Sequence, residues 1–286
     1  MSRAAAARTF SARMSYVRTR LGRWFFEERG VAKRPGDPVV VLWPSLLFDG
    51  GMWKHQIEPL AALGRVVVFD GPGHGKSEVP PPFSLEDNAD ALTDAFAELQ
   101  IDQAVFVGLS WGGMVAMRMA LQHPQRVRAL ALLDTNADAE ERLRMVKYRA
   151  FISFGRRFGI PKVLADAQLA PLYFTEGTRS RQPELVDRWI RTVNGYPRDG
   201  VARASLAVVV HRKDILPRLG SIRAPTLVLC GREDRATEPE HSERIASAIP
   251  GAKLVLVDGA GHVSALEQPK AVNDVLVPFV AAQVGS

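Results

Sequence analysis

The stretch Ala104-Val-Phe-Val-Gly108-Leu109-Ser110-Trp111-Gly112-Gly113-Met-Val-Ala-Met-Arg-Met-Ala-Leu-Gln122 decides the fold class. Its first six residues form a short, continuously apolar run of the kind buried in a covered sheet, and Gly113 to Gln122 is helix-forming. Between them, Gly108-Leu109-Ser110-Trp111-Gly112 matches G-x-S-x-G at a strand-to-helix junction, which is the context that gives this motif chemical meaning. A chain that reverses so sharply needs glycine two positions either side of the serine, because a Cβ would collide there. The hydroxyl then projects from the carboxyl end of a strand towards a helix N-terminus, whose field favours developing negative charge.

Outward from this junction, the runs Pro38–Trp43, Arg65–Asp70, Arg128–Asp134, Thr226–Gly231 and Lys253–Asp258 repeat the same short apolar pattern. Helix-forming segments alternate with them. The clearest is Ser84 to Leu99, where Ser84 and Asp87 form a capping-box pair and Leu85, Ala89, Leu92, Phe96 and Leu99 recur at helical spacing. This βαβα order predicts an α/β fold with a mostly parallel, doubly wound sheet. Tyr16–Glu28 is β-like and is expected to open the sheet as an antiparallel pair. The rhythm breaks between Ala137 and Leu216, a helix-forming tract rich in aromatics, which predicts a helical lid over 137–216 inserted into a core of 15–136 and 217–286.

The net charge of +6 is not spread over the chain: residues 1–26 hold six arginines and no acid, leaving 31 basic against 31 acidic residues elsewhere. The excess sits at the N-terminal end, where residues 1–14 read as a basic arm expected to be unstructured, and nucleic acid is not an expected partner. The arm lacks the apolar core of a secretory signal but resembles a mitochondrial presequence. It also leaves Met14 open as an alternative start. The expected location is the cytoplasm, with organellar targeting as the alternative. No run approaches the roughly 20 apolar residues of a membrane span. Cys230 is the single cysteine and falls in a strand-like run, so no intramolecular disulfide forms. The six histidines make no metal-ligand pair, and no metal or other cofactor is expected.

A serine nucleophile needs a base. Of His55, His74, His123, His211, His241 and His262, only His262 follows the last strand directly in a glycine-rich loop, Gly259-Ala260-Gly261-His262, that lets an imidazole reach over the sheet edge. His74 reads as a brace for its own turn, Asp70-Gly-Pro-Gly-His-Gly-Lys-Ser77. The orienting acid is expected to be Asp234, after the strand ending at Gly231, in the chain order Ser…Asp…His; Asp134, also at a strand's carboxyl end, is the competitor, and Glu233 a third choice.

Together the nucleophile junction, the Asp70–Ser77 loop and the Asp234/His262 pair make the chain resemble α/β-hydrolases from about Tyr16 to Val280. Gly108-Leu109-Ser110, Ala248-Ile249-Pro250-Gly251-Ala252 and Glu267-Gln268-Pro269 are most similar to the 3-oxoadipate enol-lactonase type. The resemblance implies the α/β-hydrolase fold and an oxyanion hole made by the backbone N–H groups of Leu46 and Trp111. Pro44-Ser45 stands where most of the superfamily carries His-Gly, a departure shared with enol-lactonase-like sequences. Leu47, Phe48 and the Trp111 indole are then expected to line an apolar substrate pocket. The implied activity is hydrolysis of a small-molecule carboxylic ester or lactone through an acyl-enzyme. Carbon–carbon bond hydrolysis and perhydrolysis use the same triad, and a receptor-like binding protein with slow turnover is the alternative of another class. Epoxide hydrolases and haloalkane dehalogenases carry Asp in place of Ser110.

Overall fold

The computed structural model describes residues 12–32, 34 and 36–285. Eight strands form one sheet in the order β1-β2-β4-β3-β5-β6-β7-β8. β1 (Arg13–Thr19) and β2 (Gly22–Arg29) are the antiparallel opening pair, and β2 joins β4 (Val66–Phe69) antiparallel. From β4 onward, β3 (Val39–Trp43), β5 (Ala104–Leu109), β6 (Val127–Leu133), β7 (Thr226–Gly231) and β8 (Lys253–Val257) run parallel. The sheet is therefore mostly parallel and doubly wound, and the sequence pattern located its parallel strands to within a residue or two. β3, β4, β5 and β7 are buried along their whole length, which explains runs such as Val39-Val-Val-Leu-Trp43 that do not alternate.

Helices of eight residues or more are numbered in chain order. α1 (Leu85–Glu98) opens with the expected capping box: the Ser84 hydroxyl accepts from the Asp87 N–H, and the Asp87 carboxylate accepts from the Ser84 N–H. α1 packs against α2 (Trp111–Gln122) on one face of the sheet, while α7 (Pro269–Val284) and the short helix Ile57–Ala61 cover the other. α6 (Pro239–Ala248) packs on β7 and β8.

Between β6 and β7 the chain makes a helical insertion containing α3 (Arg142–Phe158), α4 (Pro183–Gly195) and α5 (Arg198–Ser205). Phe174 and Trp189 from it are buried against Phe48 of the core, so the two parts share one apolar interior. At the amino end, β1 begins at Arg13, where cross-strand pairing with Glu28 and a 3.6 Å ion pair give the strand its first partner. Residues 1–11 of the arm lie outside the described residues. Among the described residues no helix is long and apolar enough to cross a membrane.

The register sets up the site. Trp43 pairs with Gly108, Leu109 with Leu133, and Leu133 with Leu229, so the carboxyl ends of β3, β5, β6 and β7 lie along one edge. From that edge leave the turns carrying Leu46, Ser110, Asp134 and Asp234, with the loop after β8 bringing His262.

Candidate active site

Ser110 sits between β5 and α2 with φ 54°, a left-handed conformation that a side-chain-bearing residue rarely adopts. The flanking glycines allow it. A Cβ on Gly108 would lie 2.3 Å from the Gly112 carbonyl carbon, and one on Gly112 would lie 2.3 Å from the Trp43 carbonyl oxygen. The strained turn is tied down by the Ser110 N–H, which donates to Leu133 O at 2.8 Å, and by the Thr135 hydroxyl, which donates to Ser110 O at 2.7 Å.

His262 is buried and faces the same cavity as Ser110. Its Nδ1 lies 2.9 Å and 3.1 Å from the two Asp234 carboxylate oxygens. Burial alone lowers the imidazole's affinity for a proton, but the charge and hydrogen bond of Asp234, with help from Asp134 and Glu267, outweigh it and carry the pKa above the usual histidine value. Asp234 is itself held by the turn it begins: its carboxylate accepts from the N–H groups of Ala236 and Thr237 and from the Thr237 hydroxyl, at 2.8 to 3.0 Å. Thr237 Oγ1 also lies 3.2 Å from His262 Nδ1.

Asp134 stands at the end of β6 and does not touch the imidazole. Its carboxylate accepts from the Gly231 N–H at 2.8 Å, and from the Ser264 N–H and hydroxyl at 3.1 and 2.6 Å. Burial and the neighbouring Asp234 charge push its pKa well above the usual carboxylate range. Asp134, Cys230 and Asp234 place a ligand-type atom each within 4.8 Å of the others. The set does not suit a cation, because the carboxylate oxygens are taken by N–H and O–H donors. Burial also pushes the Cys230 thiol up, keeping it protonated.

The turn after β3 faces Ser110 across the cavity. Neither the Leu46 nor the Trp111 N–H is used in a hydrogen bond among the described residues. Leu47 has φ 65°, and side chains grip this turn from three directions: Tyr173 OH donates to Leu46 O (3.3 Å), Trp189 Nε1 donates to Leu47 O (3.0 Å), and the Leu47 N–H donates to His74 Nε2 (3.2 Å). His74 thus braces the turn after β3 as well as its own, where Nδ1 meets Pro72 O at 3.3 Å. Glu267 joins insertion to core in the same way: its carboxylate accepts from the Thr175 N–H at 2.8 Å and the Gly261 N–H at 2.7 Å, next to His262.

The cavity is about 220 Å³ and lies between this edge of the sheet and the insertion. Leu46, Leu47, Ser110, Thr237 and His262 face it from the core; Tyr148, Phe151, Ile152, Leu172, Tyr173 and Val208 face it from the insertion. Two expected wall residues lie behind it. The Phe48 ring stacks on Trp189, and the Trp111 indole packs edge-on to Trp43 while donating to Asn88 Oδ1 at 3.1 Å. Position beside a strand end does not determine which way an aromatic side chain turns, and here both rings turn into the core instead of the cavity. Sequence reasoning missed Thr237, whose spacing of three from Asp234 is a turn-capping signal. It also missed Asn136, a buried cavity residue whose Oδ1 has no hydrogen-bond partner among the described residues.

The profile of the alpha/beta hydrolase fold family matches residues 38–269. Among curated relatives, "Putative carbamate hydrolase RutD" of Serratia proteamaculans is 29% identical over 253 residues, covering 86% of this chain and 92% of the relative. The 3-oxoadipate enol-lactonase 1 of Acinetobacter baylyi is 26% identical over 245 residues, covering 85% and 88%. Among solved structures, a thermophilic esterase from Thermogutta terrifontis superposes with a TM-score of 0.86 at 29% identity, over 95% of this chain and 99% of that one. With more than three quarters of its length inside the family profile, and the strand order and turn positions described above, the chain belongs to the alpha/beta hydrolase fold family.

Proposed function

We propose that the chain is a serine hydrolase that cleaves a carboxylic ester or lactone through an acyl-enzyme, with Ser110, His262 and Asp234 as its triad. The observation that carries this reading is the facing of the left-handed Ser110 and His262 in one cavity, with His262 Nδ1 held by Asp234. Donation of the Nδ1 proton to the carboxylate leaves Nε2 as the acceptor, the tautomer a general base requires. Ser110 Oγ attacks the substrate carbonyl as its proton passes to His262. The imidazolium then returns that proton to the leaving alkoxide, and water repeats the sequence on the acyl-serine. Asp234 stabilises the imidazolium. The free N–H groups of Leu46 and Trp111 receive the tetrahedral oxyanion, which supplies the largest single contribution to rate in sites of this kind.

The mostly apolar cavity favours a small or medium apolar ester or lactone, with the helical insertion as its lid. The names of the relatives, an esterase, an enol-lactonase and a carbamate hydrolase, all describe attack on a carbonyl with a heteroatom leaving group. A screen of short p-nitrophenyl esters, lactones, carbamates and β-diketones separates these from one another and from carbon–carbon cleavage. Ser110→Ala and His262→Ala should each lower kcat by roughly 10³-fold or more, and the double variant should lose little beyond either single one. A fluorophosphonate should label Ser110 stoichiometrically. Full inactivation with label on another residue would sink the assignment, and a burst of about one turnover followed by a stall would favour a receptor.

A further inference from the structure

Helix α3, residues 142–158, reads Arg-Leu-Arg-Met-Val-Lys-Tyr-Arg-Ala-Phe-Ile-Ser-Phe-Gly-Arg-Arg-Phe and carries six cations and no acid. At about 100° per residue, Leu143, Val146, Ala150, Phe154 and Phe158 fall within a sector roughly 120° wide. That sector points outward: Leu143 is 87% exposed, Val146 69%, Phe154 41% and Phe158 61%, and Val163 just beyond the helix is 81% exposed. The opposite sector, with Tyr148, Phe151 and Ile152, faces the cavity. The helix is therefore apolar on two faces, and packing against the protein accounts for only one.

The cations complete the pattern. Arg144 and Arg156 are engaged by Glu141 and Asp199, at 3.3 and 2.8 Å, whereas Arg142, Lys147 and Arg157 have no carboxylate partner among the described residues. All three are exposed and border or interrupt the apolar sector. A second copy docked on this face about a two-fold axis would set like charges against like. The phosphates of a nucleic acid offer nothing to cover the leucine, valine and phenylalanine side chains. A surface that is anionic at its boundary and hydrocarbon just beneath it matches both features at once.

We propose that the outward face of α3 docks on an anionic lipid surface, with Leu143, Val146, Phe154 and Phe158 entering the interface and Arg142, Lys147 and Arg157 meeting lipid phosphates. The docking lies beyond the hydrolase reading and does not depend on it. The test is co-sedimentation of the full chain with vesicles of equal parts phosphatidylglycerol and phosphatidylcholine, compared with phosphatidylcholine alone. Binding is expected to the anionic vesicles, weakening as salt is raised. The variant Arg142→Gln/Lys147→Gln/Arg157→Gln should lower partitioning on the order of 100-fold. Leu143→Ser/Phe154→Ser/Phe158→Ser should lower it strongly at unchanged charge. Both variants should keep the wild type's far-UV and near-UV circular dichroism, which shows that they fold whether or not the chain turns over an ester, and Ser110→Ala should bind vesicles as the wild type does. Absence of binding to anionic vesicles overturns the proposal. So does wild-type binding by either triple variant, which would place the contact elsewhere. A concentration-dependent dimer that the serine variant abolishes would also overturn it, in favour of a second copy as occupant.

Discussion

Asp134 and Asp234 follow neighbouring strands, both are buried, and only Asp234 is hydrogen-bonded to the imidazole. The sequence left them as rivals because strand-end position alone brings either carboxylate near His262. What separates them is donor geometry: Asp234 is fed by the turn through Thr237 and by His262, Asp134 by Gly231 and Ser264. Asp234→Asn should lower kcat severely, on the order of 10³- to 10⁴-fold, with the fold kept, because an amide favours the wrong imidazole tautomer. Asp134→Asn should be much milder. It loses one acceptor for Ser264 but also removes a charge that burial and Asp234 already disfavour. Steady-state kinetics with circular dichroism on both variants decides this, and the reverse ranking would mean that the acid has been misassigned. The placement of His262 on the same cavity as Ser110 was legible because its loop has no counterpart among the other five histidines. The direction taken by Phe48 and Trp111 was not legible, since it depends on Trp189 and Trp43, which are distant in the chain.

Among the elements, the turn after β3 depends most on the others. Its left-handed Leu47 is held by His74 from the loop after β4 and by Trp189 from the insertion. His74 can accept the Leu47 N–H only while its Nε2 is unprotonated, and burial lowers its pKa to about 4. The ordinary value is near 6.5, so between pH 6.5 and 4 the unfolded chain binds a proton at this residue that the folded chain refuses. Stability from His74 is therefore fully present above pH 6.5 and is lost as pH falls towards 4, by about 3 kcal/mol in all. Urea unfolding at pH 7.5 and 4.5 should show the wild type's advantage over His74→Asn shrinking in acid. An advantage that stays constant would mean that the imidazole does not stay neutral in the fold. The strands and α1 were legible because their patterns are local. The reach of His74 was not, because it joins two turns 27 residues apart that only the sheet register brings together.

At the scale of the molecule, the carboxyl edge of the sheet carries Ser110, Asp234 and His262, and the insertion encloses the cavity beside them. The helices between β6 and β7 lie where the βαβ rhythm of the sequence breaks. The contents of its inner face could not be read beforehand, because several of its aromatics join the core while others face the cavity. The resulting wall is dominated by Leu46, Leu47, Phe151, Ile152, Leu172 and Val208, so an acyl chain bound there leaves water for hydrocarbon. Each added methylene is then worth about 0.8 kcal/mol, or roughly four-fold, for as long as space remains. Across p-nitrophenyl acetate, propionate, butyrate and longer esters, kcat/KM should rise several-fold per carbon and then fall once the 220 Å³ cavity is filled. The rival outcome is a rate indifferent to chain length with a strict demand for a free carboxylate on the substrate. Arg235 would then be the residue to suspect. It faces the cavity without a carboxylate partner among the described residues, whereas Arg232 is tied to Asp258 at 2.6 Å. Arg235→Gln distinguishes the two outcomes: loss of turnover confined to carboxylate-bearing substrates would replace the apolar ester with an anionic lactone, and an unchanged ester series would leave the hydrocarbon wall as the determinant of specificity.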